Sequence, residues 1–349
     1  MRTIRYQRGD AAMLEKLAGK LPAGHGLRYP EFVDYYYAGS PWCSLRILLD
    51  DEDEVLGVLG LERMPFSIGD ERLTLGFGTN FAAFAPGAGG LLFLQWMKDC
   101  DFGLMFGGSG DAHRLVQGRR WTRYANVRPY YLNRAYEFRP GEPWWRRLAR
   151  KVLLRMAPSV DVAETARRVL RDGSPAVEVV EERRFTDDML PEQTPFGFRF
   201  SPDAEYLDWR YHTELPFVRY RLFRIESARR PAGYVVINQR PSRLLVAQCD
   251  GDDPLVLCRG IFAALAVACK EVGRRCEVLL SSSHALMQET FRRYGFRQGR
   301  KECPFFIGGL NAAPQISADT SRWLVNFDWG DKGLRPPFLG RPSIRAKKT

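Results

Sequence analysis

Apolar positions along this chain follow two rhythms, every second residue and every third or fourth, and the order of the rhythms occurs twice. In the first half, residues 10–19 and 30–37 carry helical spacing, LRILL (45–49) and VLGVLGLERM (55–64) alternate as strands, and LTLGFGTNFAAF (73–84) reads as one long strand. The loop APGAGG follows, then a helix over 91–99, a buried strand FGLMF (102–106), a helix from Asp111 to Arg120 and a strand over 128–133. The second half begins near EVVEERRF and predicts a helix over 204–212, strands over 218–225, 233–240 and 244–249, and a long helix from Leu255 to Val272. EVLLSS, a helix from Ala285 to Tyr294 and PFFIG then complete the second copy.

The spacing of landmarks supports duplication. Gly57 to Trp121 is 64 positions and Gly233 to Phe296 is 63, while Trp121 to Pro129 and Phe296 to Pro304 are both 8. An offset of about 175 residues, carried by glycines and apolar strands more than by identical letters, predicts two copies of one α/β fold, each a mixed sheet flanked by helices. The predicted organisation is a first domain over 1–140, a basic amphipathic linker over 141–175, a second domain over 176–314 and a tail over 315–349. A chain of 349 residues exceeds what one core usually supports, in agreement with two domains.

Composition narrows the classes. The hydrophobic fraction of 45% is ordinary for a globular protein, no apolar run approaches the length of a membrane span, and MRTIRYQRGD lacks a signal core, so a cytoplasmic location is expected. Seven scattered cysteines without a C-x-x-C pair, with only four histidines, indicate free thiols and neither a disulfide framework nor a metal site. The net charge of +11 points to anionic partners without choosing among them.

The strongest chemical signal is APGAGGLLF, Ala85 to Phe93. Glycines between a strand and a helix let backbone approach a ligand closely, and the helix start offers unpaired amides and a dipole suited to a pyrophosphate. The same letters are also ordinary corner chemistry. The corresponding corner of the second copy, CDGDDPLVLCRGI, carries Asp250, Asp252 and Asp253 and would repel a phosphate. For Asp252 and Asp253 a capping role is the preferred account.

Downstream, S-G-D-A-H-R-L-V-Q-G-R-R-W (109–121) and H-A-L-M-Q-E-T-F-R-R-Y-G-F (284–296) resemble the closing helix of the GNAT superfamily of N-acetyltransferases, whose pattern is roughly N-x-x-A-x-x-L-Y-x-x-x-G-F. With the strand, glycine loop and helix upstream, the resemblance covers most of 10–140 and 176–310. Within the superfamily, the run AEYLDWRY makes the chain look most like double-domain acyltransferases of bacterial polysaccharide biosynthesis. The resemblance implies two tandem GNAT-like domains and acyl transfer from an acyl-coenzyme A to an amine or hydroxyl, an amino sugar or glycan precursor among the acceptors. It places the cofactor on Phe81, Ala82, Ala83, Phe84, Gly87, Ala88, Gly89, Gly90 and Ser109, with no metal. Phe84 stands where the family loop begins with a polar residue, and Val116 and Phe291 stand where a general-acid Tyr is common.

For catalysis, His284, Asp250 and Glu62 are the candidate proton acceptors, each with a structural alternative: a helix cap for His284, a strand-edge residue for Glu62. His113 is expected at the surface. The aromatic runs DYYYAGSPW and YLDWRYH suit either a sugar ring or core packing. The segment 143–158, PWWRRLARKVLLRMAP, puts Trp145, Leu148, Val152 and Met156 on one face and Arg146, Arg147, Arg150 and Lys151 largely elsewhere. It either packs its stripe against a domain or lies peripherally on anionic lipid. Competing readings of the whole chain are a nucleic-acid-binding protein, an inactive GNAT-like scaffold and an aminoacyl-tRNA-dependent transferase; no nucleic-acid motif favours the first.

Overall fold

The computed structural model describes residues 1–22, 25–134, 143–156, 159–172, 175–191, 194–299, 303–310, 316–317 and 319–325. The first half runs β1 (Arg2–Arg5), α1 (Ala11–Lys20), α2 (Pro30–Val33), β2 (Cys43–Leu49), β3 (Val55–Ile68), β4 (Glu71–Ala83), α3 (Ala88–Asp99), β5 (Gly103–Phe106), α4 (Gly110–Gly118), β6 (Thr122–Val127) and β7 (Pro129–Leu132). Two helices follow, α5 (Trp144–Met156) and α6 (Val162–Arg171). The second half runs β8 (Val177–Glu182), β9 (Phe198–Phe200), α7 (Ala204–Arg210), β10 (Tyr220–Ser227), β11 (Arg230–Arg240), β12 (Arg243–Gly251), α8 (Pro254–Val272), β13 (Glu277–Ser281), α9 (Ala285–Arg293), β14 (Arg297–Gln298), β15 (Cys303–Gly308) and β16 (Trp323–Leu324). The expected tandem α/β architecture is the one present.

One feature departs from the expectation that each copy is closed by its own last strand. The first sheet has the order β1-β2-β3-β4-β5-β15-β6, and the second β14-β7-β13-β12-β11-β10-β8. These orders are equivalent, except that β15 occupies the slot β7 would fill and β7 the slot of β15. Only Arg128 separates β6 from β7. A hairpin return needs about two loop residues, so the chain cannot fold back beside β6 and runs on into the other sheet. There β7 pairs antiparallel with β13, Leu132 opposite Val278, while Phe305 of β15 lies opposite Phe106 of β5. The halves are thereby stitched through both sheets.

Among the described residues, three large apolar clusters result, with a small fourth at Leu245 and Leu279. Leu92, Phe93, Trp96, Trp121 and Phe306 pack under α3 and α4 on one face of the first sheet. Val235, Ile237, Leu257, Phe262 and Phe291 pack α6, α8 and α9 on the outer face of the second. The third joins the inner faces, with Phe77, Phe66 and Ile47 from the first half beside Tyr206, Leu222, Tyr234 and Val236 from the second. The aromatic runs belong to this middle layer. Tyr36 and Trp42 meet Trp209 at ring separations of 5.8 and 5.1 Å, and the Tyr35 hydroxyl donates to the Trp209 carbonyl at 2.7 Å. Residues 323–325 also pack into the body, as Trp323, Leu324 and Val325 are buried. The tail beyond residue 325 lies outside the described residues.

Candidate functional site

The first sheet opens between β4 and β5. These parallel strands pair only at Gly76–Gly103 and Phe77–Leu104, after which β4 continues to Ala83 without β5 beside it. The Gly76 amide donates to the Phe102 carbonyl at 2.8 Å, which sets the phase of the parallel ladder and makes the Phe77–Leu104 bridge its last before the strands part. Gly78 is glycine for a packing reason: a Cβ there would stand 2.6 Å from the Trp96 ring. The Trp96 indole N–H donates to the Gly76 carbonyl at 2.8 Å and fixes the ring across the point of divergence.

The gap is a cleft of about 480 Å³ lined among others by Phe81, Ala82, Ala83, Gly89, Gly90 and Ser109. That volume lies in the range of small-molecule sites, roughly 300–1,000 Å³. Helix α3 starts earlier than the periodicity predicts, at Ala88, so Gly89 and Gly90 lie in its first turn. Its N-cap, Gly87, adopts a left-handed φ of 81° and offers no side-chain cap, and no acidic residue occupies the first turn. A Cβ added at Gly90 meets nothing and one at Gly89 only the Ala83 Cβ at 3.7 Å. Packing within the protein therefore does not require these two glycines, while a ligand laid against bare helix amides would. The corner fits a diphosphate. Of the other expected contacts, Ala88 is buried beneath the helix and Phe84 packs against the middle layer. Ser109 accepts from the Ala112 amide at 3.2 Å and caps α4 at the cleft's rim.

The second copy has the same divergence and the opposite outcome. β12 and β13 pair over Arg243–Glu277 to Leu245–Leu279 and then part. Val246, Ala247, Gln248, Cys249, Asp250, Ser281 and Ser282 beyond that point are all buried. Phe196, ahead of β9, and Leu324, from the tail, are buried in the same cluster as β12 and α8. Asp253 accepts from the Leu255 and Val256 amides at 2.7 and 2.9 Å, capping α8 with Pro254 in its first position. No side chain caps α3, whose Ala88 and Gly90 amides turn back on the Ala85 and Gly87 carbonyls at 3.3 and 3.1 Å, whereas on α8 a carboxylate takes the first-turn amides.

The three proposed proton acceptors do not meet. Glu62 is 0% exposed and held by Tyr206 and the Arg210 guanidinium, a buried pair joining β3 to α7, and it lines no part of the β4–β5 cleft. Asp250 is paired with Arg199, and burial, opposed by that cation, pushes its carboxyl up to about 6. It lines a separate cleft of about 590 Å³ with Thr74 and Tyr234. The two linings share no residue, Thr74 standing three residues, about 10 Å along β4, from Phe77 of the first cleft. His284 precedes α9 without a side-chain cap bond, its ring edge-on to Phe196 at 5.3 Å; burial, then Arg322, lowers its basicity. His113, expected at the surface, is half-buried, with Nε2 2.8 Å from the Gly107 carbonyl.

Residues the periodicity passed over stand at the cleft instead. Asn80 lines it with a positive φ of 49°, at a bulge where β3 and β4 shift register between Val58 and Gly60. Its amide donates to the Tyr37 hydroxyl at 2.6 Å, which is 3.0 Å from the Thr79 hydroxyl. Polar Thr79-Asn80 inside an otherwise apolar strand is the signal that could have found them. Asp111 is the one carboxylate among the cleft's described lining.

No protein-family model matches the sequence, and no curated protein is similar to it. Solved structures share its fold. They include a probable N-acyltransferase from Enterococcus faecalis, at TM-score 0.54 and 8% identity over 88% of this chain and 72% of that one. The N-myristoyltransferase of Saccharomyces cerevisiae with bound myristoyl-CoA superposes at TM-score 0.55 and 10% identity over 93% and 87%. A GCN5-related N-acetyltransferase from Anabaena variabilis does so at 0.51 and 10% over 89% and 73%. The shared fold is therefore that of GNAT acyltransferases.

Proposed function

We propose that this chain is an acyltransferase that takes an acyl group from an acyl-coenzyme A held by its first half and passes it to an amine or hydroxyl. The observation that carries this reading is the asymmetry of the copies: one splayed strand pair opens onto an uncapped, glycine-started helix, and the other is filled and capped. Bound there, acyl-coenzyme A would supply the activated thioester. The amides at the start of α3 would hold the diphosphate, with the free edge of β4 from Gly78 to Ala83 facing the pantetheine amides. The buried Tyr37 and Thr79 hold Asn80 rigid from behind, and Asn80 offers the cleft an amide suited to a hydroxyl-bearing amine such as an amino sugar, in line with the resemblance to polysaccharide-biosynthesis acyltransferases. With no histidine among the cleft's described lining, the acceptor's proton leaves to water or to Asp111 at the open rim.

Titration calorimetry with coenzyme A and acetyl-coenzyme A tests the proposal, using Gly89→Asp and Gly90→Asp. An aspartate in the first turn favours the helix dipole by about 0.3–1 kcal/mol, so both variants should stay folded. The same charge opposes a diphosphate and should weaken binding at least about a hundredfold, two charge contacts' worth. Equal affinity in wild type and variants would remove the α3 corner as the cofactor site.

A further inference from the structure

Helix α5 connects the halves, and a connector would be expected to bury its apolar stripe. It does not. Trp144 is 73% exposed, Trp145 54%, Leu148 56%, Val152 46%, Leu153 66% and Met156 78%. At 100° per residue Trp145, Leu148, Val152 and Met156 share one side, flanked by Trp144 and Leu153. Arg146, Arg147 and Lys151 lie on the remainder, with the Arg146 guanidinium 4.9 Å from the Trp145 ring. No acidic residue occurs from Pro143 to Val160.

We infer that α5 is an interfacial helix that seats this protein on an anionic lipid surface. An apolar face rimmed by cations matches a bilayer on both counts, the stripe entering the acyl boundary and the basic groups meeting headgroup phosphates. Adjacent tryptophans at one end suit the headgroup region. A second copy fits less well, because pairing two such stripes would press two basic rims together with no carboxylate between them. A nucleic acid would satisfy the cations and leave six apolar side chains in water. Among the described residues no helix is long and apolar enough to cross a membrane, so the contact is peripheral. This inference is independent of the acyltransferase reading.

The test is co-sedimentation of the full chain with phosphatidylcholine vesicles, with and without phosphatidylglycerol. Wild type should pellet with the anionic vesicles, more weakly at raised salt, and blue-shift its tryptophan emission. The double variant Leu148→Asp/Val152→Asp should stay in the supernatant with an unchanged melting midpoint, because both positions are already exposed. Arg146→Ala/Lys151→Ala should lose roughly thirtyfold on anionic vesicles, at about 1 kcal/mol per cation. Absence of pelleting by wild type, or pelleting indifferent to the Asp pair, would overturn the inference. So would a wild-type dimer in sedimentation velocity that the Asp pair dissociates, since the stripe would then be covered by another copy.

Discussion

At the scale of single residues, the two copies are separated by what begins a helix. A glycine with positive φ leaves the start of α3 without a side-chain cap, whereas the Asp253 carboxylate fills that of α8. This contrast was legible in the sequence, because capping is a local property of a few letters. The fate of the proposed proton acceptors was not. Glu62, Asp250 and His284 each sit at plausible strand or helix ends, yet only the fold reveals Arg210, Arg199 and Phe196 against them. Asp250 carries a measurable consequence. Its folded carboxyl stands near 6 against an ordinary 3.8, so its contribution to stability is fully present below 3.8 and is lost as pH rises through about 6. Arg199→Ala leaves that carboxylate buried without its cation and should cost about 3 kcal/mol at pH 7. The penalty should shrink at pH 5, where Asp250 takes up a proton; urea denaturation at the two pH values checks the sign, and an equal or larger loss at pH 5 would contradict it.

Among elements, α7 is the one whose role changed most between sequence and structure. YLDWRYH, which could stack on a sugar ring or a base but is more often explained by core packing, is a clamp. Tyr206 and Arg210 reach Glu62 on β3, and the carbonyls of Trp209 and Arg210 accept from Tyr35 and Tyr36. Glu62→Gln should therefore lower stability by about 3 kcal/mol, the cost of stranding a buried arginine, and leave acyl transfer per folded molecule unchanged. Chemical denaturation together with turnover normalised to folded protein distinguishes this from a catalytic loss, which would reduce the rate at full stability. The periodicity also passed over β6 and β9. TRYANV of β6 carries polar residues on both faces and so shows no apolar alternation, and β9 has only three residues.

For the whole molecule, the exchange of β7 and β15 makes the halves one folding unit. A fragment of residues 1–142 would lack β15 and leave β5 and β6 with unpaired edges, so it should not fold as a soluble monomer. The full chain should unfold in a single transition, with far-ultraviolet dichroism and tryptophan fluorescence coincident along a urea titration. Two separate transitions, or a well-folded fragment, would show the exchange to be dispensable. The equal eight-residue spacings from Trp121 to Pro129 and from Phe296 to Pro304 marked both closing strands, but a spacing cannot state which sheet accepts a strand. By itself the sequence determined the order of helices and strands, the duplication, and the opposite chemistry of the two helix starts, because periodicity and capping depend on neighbours along the chain. Only the tertiary structure decided that the closing strands cross over, that one gap stays open while the other is filled, and that the candidate acids and bases are buried. Those outcomes depend on which distant surfaces meet.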